Sequence, residues 1–116
     1  MNHIKNKQWI CGNSYKKRIL LENLKEKVNL IEDIIIEPKG IVPPHKHKHT
    51  DEIFYITENS AVMIVENKEF KVNPGDVIYI EKNEEHGFRN DSSKEFKMIV
   101  LKMNFIKGDS YLGDAQ

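Results

Sequence analysis

The chain has 116 residues, room for one domain, and its 18 basic and 18 acidic residues leave no formal net charge. That balance argues against a partner held mainly by electrostatics, such as nucleic acid; 39% hydrophobic and 31% charged residues fit a soluble globule. No stretch approaches the roughly 18 consecutive apolar residues of a membrane span, and Met1 to Gln8 is too polar for a signal peptide.

The lone Cys11 cannot form an internal disulfide, so a reducing, cytoplasmic setting is expected. It reads as a small residue in a turn before Gly12. The first thirty residues admit two readings. Ile19, Leu20, Leu24, Val28 and Ile31 recur at helical spacing, yet Tyr15 to Leu21 also reads as a strand followed by a polar loop, Glu22 to Lys27. Strand and loop are favoured because everything downstream is β. Leu30 to Glu37 is Ile-rich and stops at Pro38-Lys39-Gly40. Strands are then predicted at Glu52 to Thr57, Ala61 to Glu66, Glu69 to Val72, Val77 to Ile80, His86 to Asn90 and Glu95 to Phe105. Between them stand Asn73-Pro74-Gly75-Asp76, a strong turn, and shorter polar turns. The tail, Lys107 to Gln116, reads as mostly irregular. Short strands with frequent turns and no helix between them predict an all-β barrel or sandwich.

Five histidines occur, and three fall in Pro43-Pro44-His45-Lys46-His47-Lys48-His49-Thr50-Asp51-Glu52. On an extended segment, which Pro-Pro favours, His45 and His47 leave the same face as a pair of nitrogen ligands. Glu52 has the wrong parity for a straight strand, so a bend or bulge within Lys48 to Asp51 is needed to bring it back. His86, at the head of a later strand, is the fourth candidate. Imidazole and carboxylate suit Fe(II), Mn(II), Ni(II), Cu(II) or Zn(II). A His47–His49 pair is geometrically open, though it leaves only two residues before Glu52. His3 reads as a surface residue.

Gly40 to Asn59 resembles the first conserved motif of the cupin family, and Pro74 to Asn90 the second. Gly40, His45, His47 and Glu52 match the first motif, with Asn59 in place of a glycine. Pro74-Gly75-Asp76, His86 and Asn90 match the second, with Glu81 where a proline is usual. The resemblance implies an antiparallel double-stranded β-helix, or jelly-roll barrel, formed by a single domain over 1–116. Its parts would be an arm over about 1–28, the barrel over about 29–106 and a tail over 107–116. It implies one divalent transition metal on His45, His47, Glu52 and His86, and a homodimer. The family spacing between the second histidine and the glutamate disfavours a His47–His49 pair and leaves His49 a loop residue near the mouth.

Phe54, Ile56, Val62, Ile64, Phe88 and Met98 read as core or pocket wall, with Phe54, Ile56, Phe88 and Met98 taken for the pocket, and Tyr55 and Tyr79 as outer-face packing. Arg89 should face away from the site, and Asn90 should support its turn. A small metal-dependent enzyme of dioxygenase, decarboxylase or isomerase type is expected, acting on a small organic molecule. Glu52 is its candidate general base. The alternative is a non-catalytic small-molecule binding or sensing module with a structural metal.

Overall fold

The structure is a computed structural model that describes residues 4, 5 and 7–112. Every element in it is a strand: β1 (Ile10–Cys11), β2 (Tyr15–Glu22), β3 (Val28–Ile36), β4 (Ile41–Lys46), β5 (Asp51–Glu58), β6 (Ala61–Val65), β7 (Lys68–Val72), β8 (Val77–Ile80), β9 (His86–Arg89), β10 (Phe96–Met103) and β11 (Tyr111–Leu112). They form two antiparallel sheets, ordered β1-β2-β3-β10-β5-β8 and β11-β4-β9-β6-β7. This is the double-stranded β-helix. No helix among the described residues is long and apolar enough to cross a membrane.

The strand reading of Tyr15 to Leu21 holds. β2 pairs with β3 from Tyr15↔Ile36 to Glu22↔Leu30, with a register shift between Ile19 and Leu21. β1 forms a hairpin with β2, and exposed Cys11 pairs with Lys16 just before the turn at Gly12. His3 lies outside the described residues.

Alternation sets the core. Ile36, Phe54, Ile56, Met63, Phe88, Phe96, Met98 and Val100 point between the sheets and are almost fully buried. Each such side chain stabilises the fold by about 1.5–3 kcal/mol. Val62 and Ile64, expected inside, instead lie half-buried on the other face of β6, while Met63, paired with Phe88 on neighbouring β9, faces the core. The run Ala-Val-Met-Ile-Val is apolar throughout, so it carries no alternation to fix its phase.

The turns obey their chemistry. Asn59 adopts the left-handed conformation at φ 63°, as a residue standing in for glycine must. At Pro74-Gly75, Gly75 has φ 92°, the Asp76 N–H donates to the Asn73 carbonyl, and the Asp76 carboxylate accepts from the Asn73 N–H. The tail is more ordered than its composition suggests: Tyr111 and Leu112 pair with Lys46 and His45 at the free edge of β4.

Candidate metal centre

His45 stands on β4, opposite both Leu112 and His86. Between Val42 and His45 the β4–β9 register shifts at Pro43-Pro44, and the displaced backbone presses on Gly87. A Cβ on Gly87 would lie 2.6 Å from the Val42 carbonyl oxygen. Glycine there lets β4 approach β9 closely enough for His45 and His86 to share one site.

His47 comes just past the end of β4, where the chain leaves one sheet for the other. The parity problem of Glu52 is solved by this corner between sheets rather than by a bulge within one strand. The corner is braced from two sides. The Asn83 N–H donates to the His47 carbonyl at 2.6 Å, and the Lys82 N–H donates to the Asp51 carboxylate at 2.7 Å. From the tail, the Asp109 carboxylate accepts the Lys48 and His49 N–H groups and the Thr50 hydroxyl.

The ligand nitrogens of His45, His47 and His86 lie within 4.8 Å of one another. Each Nδ1 meets a backbone carbonyl: Pro43 for His45 at 2.9 Å, Asp109 for His47, and Glu84 for His86 at 3.0 Å. A carbonyl can only accept, so each Nδ1 carries the proton and each Nε2 keeps a free lone pair. Glu52 joins from β5, its Oε1 lying 3.0 Å from His47 Nε2 and 2.8 Å from His86 Nε2. These three atoms are buried and have no hydrogen-bond partner. Orphaned buried polar atoms are costly. Donors this close together match neighbouring corners around one ion held at about 2.0–2.2 Å. The donor set fits a divalent ion.

Electrostatics act differently on the members of this cluster. Burial alone would raise the Glu52 carboxyl, but the adjacent His47 and His86, with Lys102 behind, hold it well below the usual carboxylate range. Burial and the neighbouring His86 lower His45 to about 4, keeping it neutral. Burial pushes His47 down as well, but Glu52 against its ring outweighs that and raises it.

The centre opens into a cavity of about 510 Å³. Phe54, Phe88 and Met98 line it; Ile56, also expected there, is instead wholly buried in the core. His49 is exposed in the corner loop, Tyr55 and Tyr79 are exposed on the outer face, and Arg89 pairs outward with Glu69 and Asp91. Asn90 is fully buried and ties its turn to Ile36, Glu37, Lys94 and Ser92. At Glu81 the N–H donates to the Glu84 carboxylate at 3.1 Å, a bond proline could not make.

Three residues at the site escaped sequence reasoning. Glu32 and Lys102 sit at inward positions of β3 and β10 and meet at 3.1 Å, with Lys102 Nζ 3.9 Å from Glu52 Oε2. The alternation of Leu30, Glu32, Ile34 and of Met98, Val100, Lys102 was the available signal. Asp109 had no local signal, because its partners lie about 60 residues upstream.

A family model described as a cupin domain matches residues 33–102. Quercetin 2,3-dioxygenase of Bacillus subtilis is 36% identical over 83 residues, 66% of this chain and 25% of that protein. An uncharacterised protein of Methanocaldococcus jannaschii is 36% identical over 55 residues, 47% of this chain and 44% of that one. The chain thus spans less than half the length of these curated relatives. Among solved structures, KdgF from Halomonas sp. superposes with a TM-score of 0.77 at 16% identity, covering 87% of this chain and 89% of the other, which shows a shared fold.

Proposed function

The chain belongs to the cupin domain family, and on that premise we propose that it is a small metal-dependent enzyme acting on a small organic molecule. His45, His47, His86 and Glu52 hold one divalent transition ion. The observation that carries this is the convergence of His47 Nε2, His86 Nε2 and Glu52 Oε1, buried and without hydrogen-bond partners, on an open cavity.

A bound ion supplies Lewis acidity and a template for an oxygen donor. The chain's own residues do the rest. The carbonyls of Pro43, Glu84 and Asp109 fix the imidazole tautomers. Phe54, Phe88 and Met98 give the cavity an apolar wall. Glu52, ionised at neutral pH, is the group we assign as proton acceptor. An oxidoreductase of dioxygenase type is the favoured reaction, since the similar Bacillus subtilis protein is a quercetin dioxygenase. A charged side chain, Lys102, beside the donor set in a solvent-connected cavity favours catalysis over a sealed structural metal. We also propose a homodimer built on the free edge at β1; sedimentation of 13.6 kDa species alone at micromolar concentration would refute it.

The test is elemental analysis of protein purified without chelator or affinity-column metal, beside a His47→Ala variant. Stoichiometric iron, manganese or nickel, lost in the variant, is the expected result. Zinc at full occupancy would point to a structural metal, and absence of metal from both proteins would overturn the proposal.

A further inference from the structure

Resting on that reading, we infer that the cavity takes a small carboxylate with an apolar body, and that Lys102, held in place by Glu32, is the residue that selects for its charge.

The inference begins with Glu32, a carboxylate only 2% exposed that the metal centre does not use. Lys102 Nζ lies 3.1 Å from one of its oxygens and Lys17 Nζ 3.4 Å from the other. All three side chains line the same cavity as the imidazoles. A buried carboxylate between two ammonium groups is stable because it is paired. What it achieves is to fix Lys102 at the cavity wall, 3.9 Å from Glu52.

Charge then decides the ligand. The lining carries Lys17, Lys102 and Lys107 against Glu32, Glu52 and Asp109, and imidazoles that ligate a metal are neutral. Those charges cancel until a divalent ion enters, which leaves the cavity with two positive charges in excess. A neutral ligand would leave them unmatched in a partly desolvated space; an anion compensates them. The lining includes no arginine, so an anion there meets ammonium point charges rather than a planar fork. Tyr15, Ile34, Val42, Phe105 and Leu112 provide the apolar wall for the rest of the molecule.

The test uses benzoate and its neutral isostere benzamide, titrated calorimetrically into the metal-loaded protein, with metal content measured for every variant. Benzoate should bind and benzamide should bind about tenfold more weakly or worse. Lys102→Met should weaken benzoate about tenfold without changing benzamide, and Lys102→Arg should restore much of the loss. Glu32→Gln keeps an acceptor for Lys102 but removes a competing negative charge, so it should tighten benzoate. Opposite signs at two residues in contact cannot arise from general destabilisation. Equal binding of the two probes, or indifference to both substitutions, in fully metallated protein would overturn this inference and leave the metal reading intact. A wild-type protein that holds no metal would overturn both.

Discussion

His47 and Asp109 lie 62 residues apart in sequence and meet at the candidate metal centre, where the imidazole Nδ1–H donates to the aspartate's main-chain carbonyl. The Asp109 carboxylate at the same time gathers the Lys48 and His49 N–H groups and the Thr50 hydroxyl. One residue therefore sets both the tautomer of a ligand and the shape of the corner that carries it. Asp109→Ala is expected to lower metal affinity about 10–100-fold, the usual cost of losing support behind a ligand. Competition with a chromophoric chelator measures it, and an unchanged affinity would remove Asp109 from the site.

Gly87 makes a separate prediction. A valine there puts atoms where the Val42 carbonyl and the Pro44 nitrogen already stand, at 2.6 and 2.9 Å from its Cβ. Gly87→Val should destabilise the metal-free fold by about 1–3 kcal/mol in urea denaturation. It should also cost metal affinity, by pushing His86 away from His45.

The acid limb of stability should depend on His45. Its pKa is about 4 in the folded protein against 6.5 when unconstrained. Between those values the unfolded chain binds a proton that the folded chain refuses, so stability is full above pH 6.5 and falls as pH drops towards 4. His47, raised in the fold, acts in the opposite sense: its contribution is present below 6.5 and fades as pH climbs through its folded value. Metal-free His45→Gln protein should therefore lose less stability than wild type between pH 7 and 4.5. Parallel losses in the two proteins would contradict this assignment.

Asn90 and Arg89 are neighbours with opposite expectations. Asn90 is wholly buried, its amide donating to the Ile36, Glu37 and Lys94 carbonyls and its oxygen accepting from Ser92. Asn90→Ala should cost about 3 kcal/mol, because those main-chain groups lose their partner in a dry turn. Arg89→Ala should leave the unfolding midpoint almost unmoved, since its partners Glu69 and Asp91 are solvated.

Spacing places His45 and His47 on one face; Glu52 and His86 join them through the resemblance to the cupin motifs. The two-sheet barrel closes all four into one cluster, with Pro74-Gly75 and Asn59 marking turns that permit it. Parity failed where hydrophobicity was continuous, at Val62 and Ile64, and it misled at Ile56, which shares a face with Phe54 but sits deeper in the core. Glu32 and Lys102 were hidden because a charge on an inward position reads as a break in the pattern until its partner is seen. Asp109 was beyond reach, since hydrogen bonds to main chain 60 residues away leave no periodic trace.

The pairing of β11 with β4 also bears on the order in which the molecule is made. During synthesis every metal ligand has emerged once His86 has, yet the carbonyl that fixes His47 and the strand that covers His45 arrive only with Asp109 and Leu112. A nascent chain that captures an ion early would hold it on an imidazole still free to rotate. The candidate centre is therefore complete only once β11 has closed over β4, as a latch is set last.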